Sequence, residues 1–164
     1  MDEVHLQRLT PQQVDAVGAL ARTVWQATYP TLISQAQIDF MLAGRYAADS
    51  IRTQLNDPRH AWWGAQQHTL VGFAHASVDD ADCKLDKLYV HPDSQRQGIG
   101  RALLDAVRDW AQEQGARRLW LQVNRDNTQA LAAYRQYGFR IVESRVFDIG
   151  NGFVMDDHVM ERPL

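Results

Sequence analysis

Gln95 to Leu104 reads QRQGIGRALL, and its glycines and arginines fall between Arg96 and Arg101. The segment follows a strand-like run and opens an amphipathic helix. Such a junction suits an anion, because unpaired N–H groups at a helix start point outward and the helix dipole favours negative charge there. Gly98 and Gly100 carry no Cβ, so backbone can approach a diphosphate closely and take positive φ where the turn needs it. Arg96 and Arg101 can add charge-assisted hydrogen bonds to phosphate oxygens. The spacing is not that of a Walker A loop, which ends in Gly-Lys-Ser/Thr, and the G-x-G-x-x-G fingerprint is incomplete. Taken alone, the turn reads equally well as solvated surface.

Downstream, Asn124, Asn127, Ala130, Tyr134 and Gly138-Phe139 form the pattern N-x-x-N-x-x-A-x-x-x-Y-x-x-x-G-F. With this second segment the chain resembles the GNAT superfamily of acetyl-CoA-dependent N-acetyltransferases. LDKLYVHPDSQRQGIGRALL is similar to the family's pyrophosphate motif, and LQVNRDNTQALAAYRQYGF to its second cofactor motif, so the resemblance spans Leu85 to Arg140. It implies that acetyl-CoA is the co-substrate. Backbone amides of Gln95, Arg96, Gln97, Gly98, Ile99, Gly100 and Arg101 would hold the pyrophosphate. Leu88, Tyr89 and Val90 would hold the pantetheine arm as an added strand does. Ala130 and Tyr134 would flank the thioester.

Acetyl transfer to an amine poses two proton problems. The amine must be neutral to attack, although a free alkylamine has a pKa near 10.4, and the departing thiolate is better protonated as it leaves. Tyr134 is the expected general acid, since a phenol with pKa near 10 can donate to a thiolate; the plainer reading is a core tyrosine. The family often uses a strand glutamate or a water chain as base. No glutamate stands between Glu3 and Glu113, so Asp86 is the candidate, against a salt-bridged aspartate or relay through water. Asn124 and Asn127 could bond the pantetheine amides, and Asn127 could equally be a helix cap. Histidines 5, 60, 68, 75, 91 and 158 lack metal-ligand spacing, and Cys83 is a single thiol, so no metal site is expected.

Acceptor recognition is carried in this family by the N-terminal helices and the C-terminal hairpin. Trp25, Tyr29, Phe40, Met41 and Tyr46 supply aromatic and apolar surface. Asp156 and Asp157, with Asp79, Asp80, Asp82, Asp86 and Asp148, supply negative charge. An aromatic, acidic pocket suits a cationic amine, while each residue alone reads as readily as helix core or solvated turn. The runs TVWQATYPTLISQAQIDFML and DIGNGFVMDDHVMERPL resemble the PaiA-like subgroup, acetyltransferases associated with spermidine and spermine. A small cationic amine or polyamine is therefore the expected acceptor. The alternatives are a protein lysine or N-terminal acetyltransferase and a non-catalytic acyl-CoA-binding module.

These residues need a scaffold. With 164 residues and a formal charge of −3, the chain has the length of one domain and no basic face for nucleic acid. It shows no apolar run of membrane-spanning length and no secretory leader, and one cysteine forms no internal disulfide, so a cytoplasmic protein is expected. A homodimer stays open. Val4–Leu6 reads as a strand. Thr10-Pro11-Gln12-Gln13 starts a helix carrying Val14, Val17, Leu20, Ala21 and Val24, which Pro30 stops. Ser34 and Gln37 cap a second helix, and Ile51 and Leu55 mark a short helical stretch. Strands follow at 61–66, 69–78 and 84–91, a helix at 100–114 closed by Gly115, and an alternating strand about Leu119, Leu121 and Val123. A short helix from Asn127 to Gln136 and strands at 139–146 and 154–160, around a 148–151 turn, complete the chain. The order β-α-α-β-β-β-α-β-α-β-β predicts an α/β protein with a mixed sheet and helices on both faces, and the resemblance implies that residues 1–164 form a single GNAT domain.

Overall fold

Two early turns of this chain are set by side chains that satisfy otherwise unpaired backbone groups. Gln13 Oε1 accepts from the Thr10 N–H at 3.0 Å, and Ser34 Oγ accepts from the Gln37 N–H at 3.1 Å. In the computed structural model, which describes residues 3–164, the first of these turns is a tight 3-10 turn that leads into α1 (Val14–Thr28). The second cap opens α2 (Gln35–Arg45). The short stretch about Ile51 is a third helix, α3 (Ala48–Leu55), with Ile51 wholly buried. Apolar positions at helical spacing put Val17, Ala21 and Ile38 in one core beneath these helices.

The strands are β1 (His5–Arg8), β2 (His60–Gln66), β3 (Leu70–Asp79), β4 (Asp82–Val90), β5 (Arg118–Asn124), β6 (Arg140–Gly150) and β7 (Phe153–Pro163). They form one sheet in the order β1-β2-β3-β4-β5-β7-β6. Among the described residues only the β4–β5 pair is parallel, and the long crossover a parallel pair requires is supplied by α4 (Ile99–Glu113). A further helix, α5 (Thr128–Gln136), joins β5 to β6. Leu103, Val107 and Ala111 of α4 pack with Leu119 and Leu121 of β5 in a second core on the opposite face from α1–α3. Truncating the wholly buried Leu103 to alanine would cost about 2–5 kcal/mol.

The final hairpin is longer than the sequence reading expects. β6 and β7 continue through Asp148–Gly150 to a two-residue turn at Asn151-Gly152, both with positive φ of 54° and 78°. Asn-Gly in this conformation matches the right-handed twist of the strands, so pairing runs to the turn instead of breaking at Asp148.

One irregularity shapes the sheet centre. Lys87 faces His75 and Leu85 faces Ala76, leaving Asp86 as an extra residue on β4. Such a β-bulge bends its strand and strengthens the local twist. On the other side, β4 pairs with β5 only from Asp82↔Arg118 to Lys84↔Trp120. Beyond Lys84 the two strands part, and a cleft opens between them.

Candidate active site

The cleft encloses about 510 Å³ between the parted strands, and residues of α1, α2, α5 and β7 line it. Leu88, Tyr89 and Val90 line it along the edge of β4 that faces no strand there. Two of the freed carbonyls are taken by side chains. Arg45 Nη2 donates to the Asp86 carbonyl at 2.9 Å, and Gln95 Nε2 donates to the Val90 carbonyl at 3.2 Å. The rest of the edge offers backbone groups to an extended ligand.

At the Val90 end the chain turns through Pro92–Ser94 into the glycine-rich segment. Arg96 and Gly98 have positive φ, 65° and 79°, and Gly98 stands at the cap position of α4. A Cβ built on Gly98 would meet nothing within 4 Å, so open space lies before the helix start. Gly100 already lies within α4, where a Cβ would make ordinary contact with Val90 Cγ2 at 3.9 Å. The turn's conformational demand thus falls on Arg96 and Gly98. Gln95, Arg96, Gly98, Ile99, Gly100 and Arg101 all line the cleft. Gln97 does not; its Oε1 accepts from Gln67 Nε2 at 3.3 Å. These features fit the diphosphate and pantetheine of acetyl-CoA: a helix start with free N–H groups, two arginines, and an unpaired strand edge.

Across the cleft, Asn124 and Asn127 use their carbonyl oxygens on the protein's own backbone. Asn124 Oδ1 accepts from the Asp126 N–H at 2.9 Å, and Asn127 Oδ1 caps α5 by accepting from Ala130 at 3.3 Å. Their amide N–H groups stay unspent within the described residues. Ala130 and Tyr134 lie one turn apart on α5. The Tyr134 ring packs edge-on against Phe139 at 5.6 Å, while its hydroxyl takes no hydrogen bond from a described residue. Burial pushes this phenol above its usual range, so it stays protonated and able to donate.

Asp86 does not resemble a free base. Its carboxylate lies 2.5 Å from Lys87 Nζ, 3.3 Å from His75 Nδ1, 3.5 Å from Lys84 Nζ and 3.7 Å from Arg45 Nη2. Burial alone would raise its pKa, but His75, Lys87 and Arg45 hold it well below the ordinary carboxylate range. A group so acidic has little tendency to take a proton. His75 itself is kept neutral, its pKa pushed down to about 4 by burial, and stacks on Trp62. Cys83 is buried and its thiol is pushed up to about 12, which makes it inert.

The paired aspartates of β7 part company because strand neighbours point to opposite faces. Asp156 points outward and its Oδ1 meets Arg125 Nε at 3.1 Å; it does not line the cleft. Asp157 is 5% exposed, lines the cleft and lies across the ladder from Asn124. Burial, then the neighbouring Asp156 charge, raises its pKa to about 6. Asp79, Asp80, Asp82 and Asp148 also lie away from the cleft lining, and Asp82 pairs with Arg118 at 3.1 Å. Trp25 and Tyr29 reach the lining mainly as core residues: Trp25 is 1% exposed, and Tyr29 shares a 3.0 Å hydrogen bond with Tyr89. Arg45, absent from the sequence-based candidates, projects from the last turn of α2 into the same space.

Comparison with known proteins agrees with this geometry. The model of the acetyltransferase (GNAT) family matches residues 20–139. An uncharacterised N-acetyltransferase of Mycobacterium tuberculosis is 32% identical over 152 residues, 92% of this chain and 97% of that protein. A spermidine N(1)-acetyltransferase of Thermoplasma acidophilum is 22% identical over 93% of this chain and 96% of that one. The crystal structure of a PaiA N-acetyltransferase from Thermoplasma acidophilum, in complex with coenzyme A, superposes with a TM-score of 0.86 at 21% identity, covering 99% of both chains. Among the described residues, no helix is long and apolar enough to cross a membrane. The chain belongs to the GNAT acetyltransferase family and is an N-acetyltransferase that draws its acetyl group from acetyl-CoA.

Proposed function

We propose that this enzyme moves the acetyl group directly to a small primary amine, without an acetylated enzyme intermediate. The observation that carries this reading is that Tyr134 and Asp157 line one cleft together with the glycine-rich turn. Bound acetyl-CoA supplies an activated carbonyl. Cleft residues supply the proton traffic. Asp157, with its pKa raised to about 6, receives the proton that the acceptor nitrogen must lose. Tyr134 gives its hydroxyl proton to the sulfur as the C–S bond breaks and the C–N bond forms, and recovers a proton afterwards through solvent. Gln95, Arg96, Gly98, Ile99, Gly100 and Arg101 anchor the diphosphate, and the free edge of β4 with Asn124 and Asn127 orients the arm. Asp86 serves as counter-ion to Arg45, Lys84 and Lys87 rather than as base.

A buried nucleophile of another kind finds no support, because Cys83 lies outside the cleft lining. Polyamine acceptors are a second reading, favoured by the name of the Thermoplasma relative and by the carboxyl of Asp157. Against them stand Arg45 and Lys84, cations within the same lining. Thiol release from acetyl-CoA across a panel of amines, with the N-acetylated product identified by mass, tests the transfer reading. Hydrolysis without an acetylated amine would refute it.

A further inference from the structure

Among the described residues, two buried side-chain polar atoms take no hydrogen bond: Nε of Arg45 and Oδ1 of Asp157. Both residues line the same cleft, although one comes from α2 and the other from β7. Buried polar atoms are almost always paired, so an orphan donor and an orphan acceptor on two residues that line one cleft call for a ligand that carries both complements. Arg45 spends only Nη2, on the Asp86 carbonyl at 2.9 Å; its other donors stay open.

The charge balance narrows the choice. Arg45, Lys84 and Lys87 all gather on the single carboxylate of Asp86, and the remaining carboxyl is Asp157. The cations therefore outnumber the carboxylates, and protonation of Asp157 widens the excess. A ligand bringing its own carboxylate would offset that excess, whereas a polycation would add to it. Guanidinium is also the side chain best shaped to grip a carboxylate with parallel N–H donors. Met41, Phe147, Ile149 and Met155 add apolar surface to the lining of the same cleft.

We infer that the acceptor is an amino-acid-like molecule, an apolar primary amine with a carboxylate beside it, whose carboxylate lies on Arg45 and whose nitrogen lies on Asp157. The inference rests on the transfer reading above and adds the class of acceptor. Polyamine selectivity is its direct competitor.

The test measures CoA thiol release from acetyl-CoA with phenylalanine and leucine as acceptors. Phenethylamine and isoamylamine, which lack the carboxylate, phenylalanine amide, which masks it, and spermidine serve as comparisons. A charged hydrogen bond is worth about 1.5–3 kcal/mol, so kcat/KM for phenylalanine should exceed that for phenethylamine by about tenfold or more. Arg45→Gln should raise KM for phenylalanine more than for phenethylamine, closing the gap to within about threefold. Arg45→Lys should keep part of the preference, and the melting shift with CoA shows for each variant that the fold and cofactor site are intact. Equal or faster use of phenethylamine, phenylalanine amide or spermidine by the unaltered enzyme would overturn the inference while leaving amine acetylation standing. A uniform loss for all acceptors in Arg45→Gln would also overturn it. No thiol release with any amine, despite a CoA-induced melting shift, would refute the transfer reading and this inference with it.

Discussion

Asp86 and Lys87 are consecutive residues of β4, yet Lys87 Nζ donates to Asp86 Oδ2 at 2.5 Å. An ordinary strand would send them to opposite faces. The bulge at Asp86 turns both toward α1–α3, where Lys87 lies over the rings of Trp62 and Tyr46 at 5.3 and 5.5 Å. Burial lowers the Lys87 ammonium to about 8, against the pull of Asp86. Asp86→Ala would leave that buried cation uncompensated and should destabilise the fold by about 3–5 kcal/mol. Lys87→Met, which removes the charge but keeps the length, should cost much less, because Asp86 retains Arg45 and Lys84. Urea unfolding at pH 7 reads both, and equal losses would contradict the pairing.

Asp157→Asn should separate activity from stability. The Asp157 carboxyl, buried and beside Asp156, has its pKa raised to about 6, while Arg45 and Lys84 pull it the other way. A raised carboxyl pKa contributes stability that is present below about pH 4 and lost as pH rises through about 6. At pH 8 the ionised group is a net cost. The amide variant should therefore be more stable there by about 1–3 kcal/mol. Its kcat/KM should fall by about 10²- to 10⁴-fold, and the decline of the unaltered enzyme's rate below about pH 6 should vanish. A variant that keeps the acid limb of the pH profile would assign the base elsewhere.

Much of this arrangement is legible in the sequence and some of it is not. The caps at Thr10 and Ser34, the apolar face of α4 and the Asn127 cap are local signals, and the structure contains each of them. The cofactor motifs are likewise local, since a helix start and one strand edge suffice to build them. Arg45 is different. An arginine in the last turn of a helix reads as solvated charge favoured by the dipole, and becomes a cleft residue only because α2 ends against the β4 bulge. That bulge depends on the register with β3, which no local pattern states. Asp156 and Asp157 are indistinguishable by type, and Val154-Met155 beside them blurs the alternation that would separate inward from outward.

Tyr134→Phe removes a hydroxyl that takes no hydrogen bond from a described residue, so packing against Phe139 should survive. Turnover should fall by about 10²- to 10⁴-fold with the CoA-induced melting shift unchanged. A kcat within about twofold of the unaltered enzyme, where chemistry limits the rate, would make Tyr134 structural.

Gly98→Val should abolish the melting shift with CoA. The φ of 79° strains any L side chain, and the new methyls would occupy the open space before α4. Gly115→Ala, at another helix end with φ of 82° and equally open surroundings, should carry similar strain and leave the CoA shift intact. If both variants lose the shift equally, the loss reports strain rather than a blocked diphosphate site.

Direct transfer to an amine is visible in a single turnover. Enzyme in excess over acetyl-CoA carrying a labelled acetyl group is mixed with an acceptor from the panel and quenched over time. Label should pass from CoA to the amine in one step, with none on the protein, and the step should slow in Tyr134→Phe. Label found on the chain before it reaches the amine, or released only as acetate, would contradict it.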